Sequence, residues 1–181
     1  MLSKSFRALA SLALATCAVS TPSDIPKRPY LDPYPYNTGK DFPCSPPRDT
    51  DRYCHVPAGC HPHDDAAPKI LKAFERCNDG GTVVLDQVYW ISSPLDLTFL
   101  RHVDVVITGE IHFDDSDVYY WADESFKYPF QNTSSFLKVG GEDVNIYGDL
   151  RNEKSLIDGH GQAYWKEGSV NKTVRSLCVY R

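Results

Sequence analysis

A strand-and-bend unit occurs twice in this chain. Phe99-Leu100-Arg101 is followed by Val105, Ile107 and Gly109, and Phe136-Leu137-Lys138 is followed by Val144, Ile146 and Gly148. The offset is 37 residues at the Phe-Leu-basic start and 39 at the glycine end. Alternating β-branched residues closed by glycine spell a short strand that ends in a bend. A unit of this kind cannot bury its own apolar face, and recurrence at such a period is the mark of stacked, solenoid-like architecture. Two copies leave a second arrangement open, in which two unrelated strands sit in a mixed β fold. After the second copy a charged run, Asp149 to Lys154, intervenes. Leu156 and Ile157 then lead into Asp158-Gly159-His160-Gly161, a turn by composition, and Gln162, Tyr164 and Trp165 close amphipathically.

Residues 1–18 have the build of a secretory signal peptide. Lys4 and Arg7 start it, Ala8 to Ala15 is an apolar core, and Thr16 and Ala18 are small residues placed for cleavage. The run is shorter than the ~20 apolar residues of a membrane-spanning helix. The expectation is a secreted, extracellular chain without a membrane partner. What remains is long enough for one domain with a real core. The net charge of −5 is mild and unclustered, and no basic patch invites nucleic acid. Residues 19–53 read as a Pro/Tyr-rich arm. Thr21 to Pro47 holds eight of the thirteen prolines, with Tyr30, Tyr34 and Tyr36 among them. Proline fixes φ and removes a ladder donor, so extended chain is expected, either loosely draped or serving as an aromatic sugar-contacting tail.

The spacing predicts a helix from Asp65 to Cys77. Ile70, Leu71, Phe74 and Cys77 share one face, and Lys69, Lys72, Glu75 and Arg76 take the wet side. Pro68 sits in the first turn, Asp64 or Asp65 is the expected cap, and Asn78 to Gly81 ends the helix. Capping explains the Asp64-Asp65 pair better than a role as catalytic carboxylates. Thr82 to Leu85, Val88 to Ile91, Leu95 to Leu97, Val103 to Ile107 and Ile111 to Phe113 read as strands. An excursion, Asp114 to Gln131, carries Tyr119, Tyr120, Trp121, Phe126, Tyr128 and Phe130 with five acidic residues. Such rings either stack on sugars or fold the loop back as core, and core is the preferred reading. Asn132-Thr133-Ser134 and Asn171-Lys172-Thr173 are glycosylation sequons.

Cys17 leaves with the signal, and Cys44, Cys54, Cys60, Cys77 and Cys178 remain. Export favours disulfides, and the odd number leaves one thiol free or its partner missing. Cys60-His61-Pro62-His63-Asp64-Asp65 offers thiol, imidazole and carboxylate, yet no second cluster at helical or hairpin spacing accompanies it. It reads as a polar turn rather than a metal site, and no metal or other cofactor is expected.

The stretches Cys54-x-Val56-Pro57-Ala58, Asp64-Asp65-x-x-Pro68, Cys77-Asn78-x-Gly80-Gly81-Thr82-Val83-Val84, Phe136-Leu137-x-Val139-Gly140-Gly141-Glu142-Asp143 and Asp158-Gly159-x-Gly161-Gln162 stand in a recognisable order. Together they resemble the N-terminal part of fungal secreted exo-polygalacturonases of glycoside hydrolase family 28, from about Cys54 to Trp165. The resemblance implies a mainly β fold, the first coils of a right-handed parallel β-helix, with an N-terminal capping α-helix. Residues 54–175 would then be the N-terminal part of a β-helix domain. The helix would be the lid over its end, and a bridge between Cys54 and Cys77 would tie it down. Cys60, nearer in sequence, is the rival partner of Cys77. The implied activity is hydrolysis of terminal α-1,4-linked galacturonic acid from pectin, with polygalacturonate as substrate.

An inverting glycosidase needs two carboxyl groups roughly 6.5–9.5 Å apart, one acting as acid and one as base. The resembled family places its Asn-x-Asp, Asp-Asp, Gly-His-Gly and Arg-x-Lys motifs after the Asp-Gly-x-Gly-Gln turn. Here Asp114-Asp115 precedes that turn, Gly159-His160-Gly161 is the turn itself, and Arg-x-Lys is missing. No catalytic residue is therefore assigned within the chain. Residues 176–181 form an atypical tail, and the Asp149 to Lys154 run is longer than the family's turn. Both departures are those of a truncated copy or a mis-assembled gene. The expectation is a piece without the catalytic motifs, inactive alone and aggregation-prone, where a complete protein would be a monomer. The alternative is a non-catalytic secreted pectin-binding protein or an inactive fragment.

Overall fold

The computed structural model describes residues 25–26, 48–49, 51–61, 63–130, 133–149 and 155–170. Asn132, Asn171, Cys44, Cys178, the signal segment and the tail lie outside the described residues. The elements in order are β1 (Tyr53–His55), α1 (Ala67–Cys77), β2 (Thr82–Leu85), β3 (Val88–Ile91), β4 (Leu95–Ile107), β5 (Glu110–Phe113), α2 (Val118–Glu124), β6 (Phe126–Tyr128), β7 (Thr133–Ser135), β8 (Leu137–Gly148), β9 (Leu156–Asp158) and α3 (Gly161–Val170).

The architecture is mainly β, with parallel strands and few helices. One sheet has the order β1-β2-β4-β8 and the other β3-β5-β9. Every pairing within these two sheets is parallel. Among the described residues only the short β6–β7 pair is antiparallel. Parallel sheets demand apolar cover, and the two sheets share one core with α1. Val83, Leu85, Val105, Leu100, Ile91 and Phe74 are all buried there. Each such side chain contributes roughly 1.5–3 kcal/mol when taken out of water.

A sharp bend joins the sheets. Asp86-Gln87 separates β2 from β3, and Thr108-Gly109 separates β4 from β5. The bends stack: Gly109 N donates to Leu85 O at 2.9 Å and Glu110 N donates to Gln87 O at 2.9 Å. A Cβ at position 109 would stand 2.1 Å from Gln87 O, so only glycine permits this approach. Tyr89 locks the first bend. Its hydroxyl donates to Val56 O at 2.8 Å and accepts from Asp86 N and Gln87 N.

The repeat seen in the sequence is real, but its register differs. The Val-x-Ile motif aligns Val105 with Val144 and the Phe-Leu motif aligns Leu100 with Leu137; the ladder instead pairs Val103 with Val144, Val105 with Ile146, Ile107 with Gly148 and Leu95 with Leu137. At the Val-x-Ile end the shift is two residues, which keeps each side chain on its face, so alternation alone cannot reveal it; at the Phe-Leu end it is five. Leu95 to Leu97 and Val103 to Ile107 also form one strand, β4, rather than two. An irregularity between Leu97 and Leu100 absorbs the break in pattern.

Helix α1 buries Ala67, Ile70, Ala73, Phe74 and Cys77, with Pro68 at its start. Cys54 of β1 and Cys77 at its end form a disulfide. The expected cap is corrected. The residue before the helix is Ala66, which has no capping side chain. Asp64 instead accepts from Cys60 N and His61 N at 2.9 and 3.0 Å, closing its own turn. Asp65 ties the helix start to the β3–β4 turn: it accepts from Ala67 N at 3.1 Å, Ser92 N at 2.9 Å and Ser93 Oγ at 2.6 Å. The long-range partners draw its carboxylate away from the N2 and N3 amides that a cap would serve.

Candidate functional site

Strand alternation builds a polar row on the outer face of the β3-β5-β9 sheet. Tyr89 and Ile111 point into the core, so Trp90 and His112 point out. The register sets Trp90 beside His112 and His112 beside Asp158. Trp90 stacks on His112 with ring centroids 4.9 Å apart and planes inclined by 21°. His63 covers the same indole at 4.1 Å.

The turn after β9 completes the group. Asp158 Oδ1 accepts from His160 N at 2.8 Å, an Asx turn that holds His160 at a φ of 47°. The imidazole of His160 thereby comes back over the row, with its Nε2 3.0 Å from Nδ1 of His112. Carboxylates flank the two rings. His112 Nε2 lies 3.0 Å from Glu110 Oε2, and His160 Nδ1 lies 3.8 Å from Asp115 Oδ2. The site can hold a proton or a cation between its two imidazoles, and it offers a stacked aromatic floor.

Asp114 and Asp115 diverge. The Asp114 carboxylate accepts from Ser116 N and Oγ at 3.0 and 2.9 Å. Its carbonyl accepts from Trp121 Nε1 at 2.8 Å and Tyr164 OH at 2.9 Å. Asp114 is therefore a structural corner, while Asp115 reaches His160. Burial raises the pKa of Tyr164, and the charges of Asp115, Asp114 and Asp117 add to the rise. Cys60 is an exposed free thiol.

The excursion divides between core and surface. Trp121 is 1% exposed and meets the Phe136 ring at 4.3 Å. Asp117 caps α2 by accepting from Tyr119 N and Tyr120 N. Lys138 sits over the Phe126 ring at 4.1 Å. Tyr120 and Phe130 face outward, Phe130 at 80% exposure.

A second polar cluster has no counterpart in the sequence reading, because its centre, Arg48, falls in the stretch read as arm. Arg48 donates from Nε to Asp104 Oδ1 at 2.9 Å, from Nη1 to Asp143 Oδ2 at 2.7 Å and from Nη2 to Asp143 O at 2.8 Å. Asn145 Nδ2 also donates to Asp104 at 3.0 Å, and His102 contacts Asp143. Burial works against the charge on Arg48, but the hydrogen bond to Asp143 and the charge of Asp104 outweigh it, and its pKa is raised.

Arg48 and His112 lie in no sequence motif, and His160 sits at the variable position of the Asp-Gly-x-Gly-Gln turn. Strand periodicity does place Glu110 and His112 on one face, which was the available signal. Their partners 40 or more residues away depend on register.

Comparison with known proteins gives one consistent answer. Exopolygalacturonase X-2 of Emericella nidulans is 40% identical over 154 residues, covering 85% of this chain and 33% of that protein. Exopolygalacturonase X-1 of the same organism is 43% identical over 142 residues, covering 77% and 29%. Exopolygalacturonase A of Aspergillus niger is 37% identical over 173 residues, covering 94% and 38%. The chain is similar to fungal exopolygalacturonases. It spans about a third of the length of these exopolygalacturonases. No family model and no solved structure matches the chain. Among the described residues no helix is long and apolar enough to cross a membrane.

Proposed function

We propose that this chain is a portion of a secreted pectin-degrading glycoside hydrolase that removes terminal galacturonic acid from polygalacturonate with inversion. The reading rests on identities of 37–43% to proteins named exopolygalacturonases. In it, the two parallel sheets are first coils of a right-handed β-helix, with α1 as the N-terminal cap pinned by Cys54–Cys77. The acid and base carboxylates belong to the whole protein, outside these 181 residues. The chain's own part is to found the stack on which they stand.

A segment exchange tests this. The residues of Aspergillus niger exopolygalacturonase A that match this chain are replaced by the chain's own, and release of galacturonic acid from polygalacturonate is measured. The chimera is expected to be secreted and to retain exo-acting turnover. A folded chimera without turnover counts against the reading. Turnover by residues 19–181 alone would refute the placement of the carboxylates elsewhere and return attention to Asp114, Asp115 and His160. A second reading, pectin binding without hydrolysis, is favoured by the outward rings of Tyr120 and Phe130. It requires Y120A/F130A to abolish retention on a pectin column.

A further inference from the structure

We propose that His112, His160 and Asp158 form a divalent transition-metal site, of the zinc class, on the outer face of the β3-β5-β9 sheet. One ligand atom from each of the three lies within 4.8 Å of the others. The argument begins with the outer nitrogens. Glu110 Oε2 lies 3.0 Å from Nε2 of His112, which makes that nitrogen the N–H donor and leaves a lone pair on Nδ1. Asp115 Oδ2 lies 3.8 Å from Nδ1 of His160 and Asp158 Oδ2 lies 3.7 Å from its Nε2, so either nitrogen of that ring can carry the proton or offer a lone pair. His160 Nε2 faces the His112 lone pair at 3.0 Å, a separation that either a proton or a bound cation between the two nitrogens satisfies. When both nitrogens present lone pairs, a metal ion takes the place of that proton.

The geometry suits a metal ion. Zinc holds imidazole nitrogens at about 2.0–2.1 Å, so two bound nitrogens stand about 3.3 Å apart at a tetrahedral angle. The observed 3.0 Å needs an opening of only a few tenths of an ångström. Asp158 Oδ2, 3.7 Å from His160 Nε2, supplies the anionic third ligand with a small side-chain rotation. Glu110 supplies the carboxylate behind a ligating histidine that orients the ring and raises its basicity. Trp90, stacked on His112, fixes the plane of that ring from below. Imidazole and carboxylate together select zinc, nickel or copper over calcium or magnesium. Bound there, the ion clips β5 to the turn between β9 and α3.

The test uses the full exported chain carrying Cys60→Ser, which removes the exposed thiol as a competing ligand. Zinc chloride is titrated calorimetrically, and thermal unfolding is followed with and without zinc. The expected result is one ion per chain and a zinc-dependent rise in Tm. His112→Gln and His160→Asn each abolish both effects. Asparagine is chosen at 160 because it tolerates the left-handed backbone. Glu110→Gln, a positioning change, weakens binding roughly 10–100-fold, and His61→Gln leaves it unchanged. Copper(II) quenches Trp90 fluorescence in the parent and not in His160→Asn. Circular dichroism confirms that each variant is folded. Absence of zinc uptake by the parent overturns the proposal and leaves a shared proton between the imidazoles. Equal uptake by folded His160→Asn overturns it as well.

Discussion

The Nε of Arg48 lies 2.9 Å from Oδ1 of Asp104, 56 residues further along the chain, with their side chains 6% and 4% exposed. Removing one partner of such a pair strands the other charge away from water. Arg48→Ala, which strands Asp104, is expected to cost about 3–5 kcal/mol, and Asp104→Leu less, because Arg48 keeps Asp143. The double change Arg48→Met with Asp104→Leu should cost less than Arg48→Ala, because only the more exposed Asp143 then loses its Arg48 partner. Urea unfolding of the three variants measures this.

Gly141 pairs with Leu100 at a φ of 123°, and a Cβ there would stand 1.8 Å from Leu100 O. Gly141→Ala therefore meets a backbone clash in addition to the roughly 1–3 kcal/mol of a strained conformation. The expected outcome is loss of the β4–β8 pairing. Hydrogen exchange should show faster exchange at Val144 and Ile146 while Val83 and Val84 stay protected.

Cys54–Cys77 closes a loop with a sequence separation of 23. Cys54→Ser with Cys77→Ser is expected to lower stability by about 3 kcal/mol on a chain-entropy account. Non-reducing peptide mapping should recover the linked pair from the parent. Recovery of a Cys60–Cys77 peptide would contradict the pairing described.

Tyr89 and Tyr164 should make the protein sensitive to alkali. Burial raises both phenols above their ordinary value of 10.0, with nearby carboxylates adding to the rise. Above that pH the unfolded chain loses protons that the folded chain retains, so stability falls as pH rises. Tyr89→Phe with Tyr164→Phe should flatten the alkaline slope, at the cost of a lower plateau near neutrality. Denaturant midpoints across the alkaline range report both effects.

Strand β8 is the last in its sheet among the described residues, and Val139, Ile146 and Ile157 line an apolar cavity that opens beside it. Ile146 and Ile157 are 51% and 56% exposed. Parallel strand edges with apolar residues promote association. The isolated chain should self-associate in sedimentation runs, and Ile146→Lys with Ile157→Lys should reduce this. A monodisperse parent would count against it.

Much of this architecture is legible one residue at a time. The apolar positions of α1 recur at 3.6, and Val-x-Ile runs alternate at 2, so element type and inward faces follow from local chemistry. Gly109 marks its bend for the same reason. Register is another matter. Sliding β8 by two residues past β4 preserves every inward side chain, so the alternation that reveals the strand is silent about its partner. Backbone fit fixes the pairing, through the approach of Gly141 to Leu100. From that pairing follows Arg48 with Asp104 and Asp143; His112 meets His160 through the β5–β9 pairing, and Asp65 meets Ser92 and Ser93 where α1 docks on the β3–β4 turn. These polar groups meet across long sequence separations and share no local period, so their meeting arises only when the sheets are stacked.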